Sequence, residues 1–508
     1  MKQITEKERK TKVIAVPQVL VVGAGPAGIA AAIAAAEAGA DTLLVEKYGY
    51  VGGNMTTAMV NPIFTFHDVN GRQVISGIAE RLVSRMKQKG YSMGHVTDLT
   101  FDNASMTPFD PEGCKVTLFE MLEEAGVRLL LHAMVVDIQE EDFKIYMGED
   151  RYKVTAVIIE SVSGRQAILP DYVIDCSGNA EIVSRKKYGY VFDLGDGAGN
   201  MQPATLYFRI GGVDNKALRQ WMKENRNLLK DNPTDEEIDS QKAIAFIGMN
   251  DLLAEAVEKG EIDKEVAPRI LMYELPHGQF SVNTTRLQNV DGTDIRSLTN
   301  AEIKLRKQVI EVFAFLKKHV GGFSSAYIID TGAQVGIRET RHIIGDYTLN
   351  EDDILSGRSF EDGIACGTFA IDIHPASGKQ QIFTGSGKHV YEIPYRSLLP
   401  VCAYNVLVAG RCISANHVAY GSIRVMATCM AMGQAAGTAA ALLSKRGCDT
   451  REIDTNILRQ TLVKNGQYLL NADCEEKIDK GLVLNREHIE DKNSGHYNPF
   501  KDIQKTEE

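Results

Sequence analysis

Two kinds of residue in this chain can do chemistry. The first kind is titratable and scattered. His374 stands in Ile371-Asp372-Ile373-His374-Pro375, an extended stretch whose alternation aims it at a pocket. There it could be a proton donor or an oxyanion ligand, or else a structural histidine satisfied by hydrogen bonds. His417 and Arg424 precede a small-residue segment, with Arg424 open to a ligand contact or a salt bridge. Arg338, Glu339 and Arg341 form a compact charged group, readable as an ion-pair network or as a substrate anchor. Cys412 would need a resolving partner and a lowered pKa to be redox-active, and no near neighbour in sequence supplies either.

The second kind is glycine. Gly23-Ala24-Gly25-Pro26-Ala27-Gly28 is a Gly-x-Gly-x-x-Gly turn after the apolar run Val19-Leu20-Val21-Val22. Gly23 permits a tight turn, Gly25 lets the backbone approach phosphates, and Gly28 lets helix and strand pack closely. The alanine-rich stretch 27–38 is a strong helix ended by Gly39, and its N-terminus offers free N–H groups to a pyrophosphate. A strand at 42–45 leads to Glu46, 18 residues after Gly28 (46 − 28), placed to accept from a ribose. An acid there favours a free 2′-hydroxyl, hence FAD or NAD over NADP. Gly49-Tyr50-Val51-Gly52-Gly53-Asn54-Met55-Thr56 is too glycine-rich for a regular element and reads as a loop passing close to a ligand.

These residues need elements to hold them. At 508 residues the chain exceeds one ordinary core, so two domains or a large insertion are expected. A hydrophobic share of 44% and a charged share of 24% are those of a soluble globular protein. The net charge of −11 argues against nucleic acid or an anionic membrane as partner. It does not bear on a small anionic substrate, which needs only a local basic pocket. The charged stretch 1–12 and the break at Pro17-Gln18 do not make a signal-peptide core. The most membrane-like segment, 426–443, carries Gln434 and reads as a buried helix, so a cytoplasmic protein is expected. Eight cysteines without a Cys-x-x-Cys pair leave zinc, iron–sulfur and dithiol readings unsupported and point to small buried residues in a reducing compartment.

Along the chain, 74–90 reads as an amphipathic helix on Ile75, Ile78, Leu82 and Met86, and 116–124 as another. Residues 127–136 read as a strand, 143–169 as hairpin-like, and Tyr172-Val173-Ile174-Asp175-Cys176-Ser177-Gly178 as a buried strand running into a turn. A polar glycine-rich connection follows at 193–200, then a strand at 204–210. Thr299-Asn300-Ala301-Glu302 reads as a capping box starting a helix with Ile303, Ile310, Phe313 and Val320 in its stripe, stopped by Gly321-Gly322. Val406-Leu407-Val408-Ala409-Gly410 is a second short buried strand, then a polar loop at 411–424 and the small-residue helix. The fold expected is α/β. A discontinuous nucleotide domain comprises 17–190 and 391–450. An α+β substrate or cap domain is inserted at 191–390, and 451–508 forms a helical, charged tail, partly disordered after about 475.

The set Gly23–Gly28, Glu46-Lys47, Gly52-Gly53-Asn54, Asp175–Gly178 and Val408-Ala409-Gly410-Arg411 resembles FAD-dependent oxidoreductases of the two-dinucleotide-binding-domain, glutathione reductase-like type, with a Rossmann-like FAD domain. Gly336-Ile337-Arg338-Glu339-Thr340-Arg341, Ile371–Pro375, Gly421-Ser422-Ile423-Arg424-Val425 and Gly433-Gln434-Ala435-Ala436-Gly437 are similar to a broad bacterial group of such enzymes. The resemblance covers about residues 17 to 445 and is specific for FAD, not for a substrate. It implies that the first glycine loop, with Pro26 and Ala27, holds the pyrophosphate and that Glu46, beside Lys47, holds the adenosine ribose. The loop with Gly52, Gly53, Asn54 and Met55 would wrap the pyrophosphate and flavin side. The backbone near Val135 and Val136 would meet adenine, Ser177 and Gly178 the nucleotide half, and Gly410 the ribityl chain. Arg411 departs from the acid often found after that glycine. Gly421, Ser422 and Val425 would lie near the flavin, and the helix from Met426 would point its N-terminus at the flavin pyrimidine edge.

In this reading the isoalloxazine carries the redox step. His374, Arg424 and His417 are the candidate catalytic residues; the last two are loosely similar to the substrate-carboxylate ligands of fumarate reductase-like flavoproteins, with a longer spacing. The expected activity is hydride transfer between flavin N5 and a small polar organic substrate. A flavin monooxygenase is the alternative, although the Asp-Gly and Gly-Asp pair of the hydroxylase pattern is missing from its usual setting. A non-redox or RNA-modifying flavoprotein is the third, disfavoured by the acidic charge. With one complete Gly-x-Gly-x-x-Gly, electrons are expected from the substrate or a separate carrier rather than from NADH held beside FAD.

Overall fold

A run of short apolar segments builds the centre of the molecule. The computed structural model describes residues 4–6, 8–98, 103–144, 150–185, 192–196, 199–374, 382–384, 390–401, 403–479 and 482. Pro375, Cys402 and nearly all of the charged tail after 479 lie outside them. A five-stranded sheet runs in the order Val406–Val408, Tyr172–Asp175, Val19–Val22, Thr42–Val45, Arg128–Leu130, parallel throughout. The first four of these are buried at every residue. A parallel sheet covered on both faces requires such unbroken apolar strands. The strand nearest the chain's end, Val406–Val408, pairs with Tyr172–Asp175, so the sheet is assembled from segments far apart in sequence.

Two helices cover one another beside this sheet. Pro26–Glu37 and Met426–Ser444 meet backbone to backbone, because Gly433 faces Ala27 and Gly437 faces Ala31. A methyl at either glycine would lie 2.0 Å from the carbonyl oxygen opposite. The four-residue repeat on both helices is one ridge of small residues laid into another. Among the described residues, Met426–Ser444 is the one helix long and apolar enough to cross a membrane, and 94% of its apolar window is buried in the fold.

A second, antiparallel five-stranded sheet has the order Ala245–Gly248, Ile270–Leu275, Gln279–Val282, Phe208–Gly211, Tyr327–Thr331. The helix Ile295–His319 packs with it around a separate apolar core. The fold is thus mixed α/β, with a Rossmann-type parallel sheet joined to an antiparallel one. A smaller sheet joins Lys12–Ala15, Gly164–Ile168, Asp150–Ser161 and Met134–Lys144.

Several local expectations are corrected. The long helix begins with Asp294, whose side chain accepts from Ser297 N–H, not with a capping box at Thr299. Thr299 is inside the helix and donates to Ile295 O. The buried stripe is Ala301, Leu305, Val309, Val312 and Leu316; of the expected residues Val320 is buried and Phe313 packs against the same core, and Ile303 and Ile310 face solvent. The earlier helix starts at Pro111, capped by Asp110 through Glu112 and Gly113 N–H. An Asp-Pro signal for this start is present in the sequence. The amphipathic helix is Ile78–Gln88, starting after Gly77 at φ 66°. The stretch 127–136 is not one strand: it breaks at His132 (φ 55°) and feeds two sheets. The stretch 411–424 holds a helix, His417–Ile423, capped by Asn416.

Candidate cofactor and substrate site

The glycine turn is held by contacts that leave no room for side chains. Gly23 has φ 93°, and a methyl there would lie 2.7 Å from Cys176 O. A methyl on Gly28 would lie 1.8 Å from Gly23 O. At Gly25 the opposite holds: a methyl would meet nothing within 4 Å. Gly25 is also the N-cap of Pro26–Glu37 and offers no capping side chain. The helix N-terminus therefore faces open space with unsatisfied N–H groups, the arrangement an anion requires.

The loop after Glu46 closes over this turn. Gly52 N–H donates to Ala24 O at 2.8 Å, and Gly53 packs on Gly25 so closely that a methyl would come within 2.7 Å of its Cα. Gly53–Met55 forms one 3-10 turn rather than plain loop. Glu46 is buried and accepts from Ala24 N–H at 2.7 Å and Tyr48 N–H at 3.0 Å. Burial raises its pKa, and those two N–H groups pull against the rise. Across the sheet, Asp175 is fully buried and accepts from Ser177 N–H, Ser177 O–H and Ile182 N–H, which fixes the strand end. Burial raises the Asp175 pKa too.

These pieces enclose a cavity of about 250 Å³. Gly23, Gly25, Pro26, Ala27, Glu46, Lys47, Gly53, Asn54, Ser177, Gly178, Gly410 and Arg411 are in its wall, so most of the expected cofactor residues are brought together. Gly28, Gly52 and Met55 lie behind them, as packing. Val135 and Val136 stand on the Met134–Lys144 strand, outside this wall. Arg411 ties three segments together: Nε donates to Gly178 O at 2.6 Å, one terminal nitrogen to Asn179 Oδ1 at 2.7 Å, and the other to Ile337 O. The open pocket at Gly25, the acceptor at Glu46 and the close glycine packing of the turn fit FAD.

A second cavity of about 450 Å³ adjoins the first. Asn54, Ile337, Arg411, Arg424 and Met426 line both. Its wall includes His374, Arg424 and Val425 together with Arg338, Asp372, Arg269 and Arg286. Arg424 donates to Asp372 Oδ2 at 3.1 Å and to Asp372 O at 3.2 Å. His374 Nε2 lies 3.4 Å from Asp372 Oδ1. Burial lowers the His374 pKa to about 4, so the ring is neutral at neutral pH. Gly421 is not in either wall; it lets His417–Ile423 lie on the Ile371–Ile373 strand, 3.0 Å from Asp372 N to where its methyl would be. Ser422 bonds Tyr391 O–H at 2.6 Å and Phe369 O, which holds the same strand.

His417 is in neither wall. Its Nδ1 lies 2.8 Å from Glu339 Oε1, which His342 Nε2 also meets at 3.0 Å. Burial alone would raise Glu339; the two imidazoles outweigh it and hold the carboxyl down to about 2. Burial likewise opposes charge on His417, and Glu339 outweighs it, leaving the pKa raised. The charged triplet therefore splits three ways: Arg338 into the second cavity, Glu339 to the histidines, and Arg341 to Asn179 O and Ser184 Oγ. Cys412 is fully buried and its thiol pKa is pushed up, the reverse of what a reactive thiol needs. Sequence reasoning missed Arg269, Arg286, Tyr207 and Asp372 as wall residues. They come from separate segments, and no spacing signal links them.

A family model described as FAD dependent oxidoreductase matches residues 18–462. No curated protein matches the chain in sequence. Among solved structures the chain is similar to the flavin-dependent brominase Bmp2, at 14% identity over 89% of this chain and 85% of that one, with a TM-score of 0.44. It is also similar to p-nitrophenol 4-monooxygenase PnpA from Pseudomonas putida DLL-E4, at 11% identity over 90% and 87% of the two chains, TM-score 0.44. A geranylgeranyl bacteriochlorophyll reductase-like protein from Thermoplasma acidophilum is similar at 12% identity over 96% and 99%, TM-score 0.40.

Proposed function

The chain belongs to the FAD-dependent oxidoreductase family, and from that premise we propose that it moves a hydride between FAD in the glycine cradle and a small organic substrate in the second cavity. The observation that carries this reading is the shared wall at Asn54, Ile337, Arg411, Arg424 and Met426, which sets the two cavities side by side. When bound, FAD supplies the two-electron acceptor or donor.

The chain's own residues supply orientation and proton handling. His374 is the proton acceptor. Its Nε2 faces the Asp372 carboxylate, which keeps the ring proton on that nitrogen and leaves Nδ1 with the free lone pair. A neutral imidazole suits oxidation of the substrate: the hydride leaves a C–H bond while the proton on the adjoining oxygen or nitrogen passes to Nδ1. Met426–Ser444 begins at the junction of the cavities with Val425 as an N-cap that contributes no side-chain bond, so its first N–H groups favour negative charge there.

The test is anaerobic bleaching of the yellow holoenzyme with a panel of hydroxy acids, sugars, enoates and amines. Stoichiometric bleaching by one class, reversed by its oxidised product, is the expected result. Reaction that requires oxygen and yields a hydroxylated product would replace this reading with a monooxygenase.

A further inference from the structure

The net charge of the second cavity is opposite to that of the whole chain. Arg269, Arg286, Arg338, Arg411 and Arg424 reach its wall, whereas Asp372 is the single carboxylate among the described residues lining it. Asp372 bonds Arg424. Arg338 donates to Pro203 O and Thr205 Oγ1, both at 2.6 Å, and Arg286 donates Nε to Glu265 O at 3.2 Å. These hydrogen-bond partners are uncharged, and the carboxylates of Asp372 and Glu265 act on Arg338 and Arg286 without a hydrogen bond to them. Burial, reinforced by neighbouring Arg424, draws Arg338 down to about 10, and burial lowers Arg269 and Arg286 as well.

Two donors beside the cavity are also unsatisfied. Arg424 Nε and Gln202 Nε2 are buried without a hydrogen-bond partner, and the two side chains adjoin, with Arg424 3.5 Å from Gln202 Oε1. Buried donors left unpaired are costly, and an acceptor atom removes the cost. Another part of the wall is apolar and aromatic. Phe64 packs edge-on to Tyr273 at 5.9 Å and beside Phe369 at 6.1 Å, flanked by Pro62 and Leu271.

We propose that this cavity takes an organic carboxylate with an apolar, planar body, its carboxylate on Arg338 and Arg424 and its body against Phe64, Tyr273 and Phe369. The inference rests on the reading of the cavity as the substrate chamber and names the substrate class. A guanidinium pair gives a carboxylate forked, charge-assisted bonds, and the aromatic wall excludes small inorganic anions as the preferred ligand.

The experiment is calorimetric titration of the oxidised holoenzyme with benzoate, benzamide, benzylamine and inorganic phosphate. Benzoate is expected to bind at least about tenfold more tightly than the other three, because bonds to a charged partner are worth more than neutral ones. Arg338→Ala should weaken benzoate about tenfold or more with flavin content unchanged, and Arg338→Lys should recover part of the loss. Benzamide or phosphate binding as well as benzoate overturns the proposal. So does benzoate binding to the apoprotein alone, which would assign the arginines to the cofactor. The ligand series on the wild-type protein decides the matter even if Arg338→Ala fails to fold. Bleaching is read separately. Carboxylate binding with no bleaching by any substrate sinks the hydride reading alone, and bleaching by neutral substrates without carboxylate binding sinks this inference alone.

Discussion

The nucleotide cradle is built around glycines at its turn, and the chamber beside it around converging arginine and aromatic side chains. Gly23, Gly25, Gly53, Gly178 and Gly410 are in the first; five arginines, a histidine and four aromatics are in the second. The turn has its shape because side chains are missing from it: a methyl at Gly23 or Gly28 would strike a carbonyl oxygen, and one at Gly53 would strike Gly25 Cα. The chamber has its character because long side chains from distant segments converge there. One is a rigid geometric device that many dinucleotides could use. The other is an electrostatic device whose selectivity lies in charge and shape. Substitutions can test the two separately.

The largest effect is expected at Gly28. A methyl 1.8 Å from Gly23 O cannot be absorbed by a side-chain shift, since both partners are backbone. Gly28→Ala should cost more than the ~1–3 kcal/mol of ordinary overpacking and yield protein that lacks flavin and melts early or not cooperatively. Gly25→Ala is the contrasting case. Its φ of −75° suits alanine, and a methyl there meets no protein atom within 4 Å. The variant should fold with the wild-type Tm as apoprotein yet bind FAD more than about 10²-fold less tightly, near ~3 kcal/mol. Wild-type flavin affinity in Gly25→Ala would show that the open space is not where the cofactor's phosphates lie.

This contrast also explains what could be read in advance. The cradle follows from one short strand–turn–helix–strand run, in which apolar period and glycine spacing dictate backbone path. The late strand Val406–Val408 was likewise readable as apolar residues ending in glycine. The chamber was not readable. Arg269, Arg286 and Asp372 look in sequence like any other charged residues, and only the packing of the antiparallel sheet against the cradle brings them to one wall. Arg338 and Glu339 are adjacent in sequence but go to different sites, because neighbouring side chains in an extended segment face opposite ways. The long helix's stripe was misassigned for a local reason. Apolar residues lie on two of its faces, with Ile303 and Ile310 toward solvent and Leu305, Val309, Val312 and Leu316 toward the core, and periodicity does not say which face is buried.

A substitution in the chamber should leave the cradle intact. His374→Ala is expected to retain full flavin content while kcat falls roughly 10²-fold, the usual contribution of a positioned base. The wild-type enzyme should lose kcat as pH falls through about 4, where His374 takes up a proton, and the variant should lack that limb. Unchanged kcat with a raised KM would move His374 from proton transfer to substrate binding.

The smallest effect is expected outside both walls, at His417. Glu339 is held down to about 2 and His417 is raised, so each is stabilised in its charged form by the other. The two signs differ. Glu339 contributes fully above its ordinary 4.5, and its share is lost as pH falls through about 2. His417 contributes fully below its ordinary 6.5, and its share is lost as pH rises through its raised pKa. The pair is therefore at full strength between about 4.5 and 6.5. Removing one partner of a charged hydrogen bond costs about 1–2 kcal/mol, moderated here because His342 and Gln202 N–H remain on Glu339. Chemical denaturation of wild type and His417→Ala across pH 3 to 9 should show a stability gap widest in that window and narrowing on both sides, with flavin binding unaffected. A gap that does not vary with pH would make the contact one of packing, and a gap that widens above pH 7 would mean that His417 is neutral in the fold.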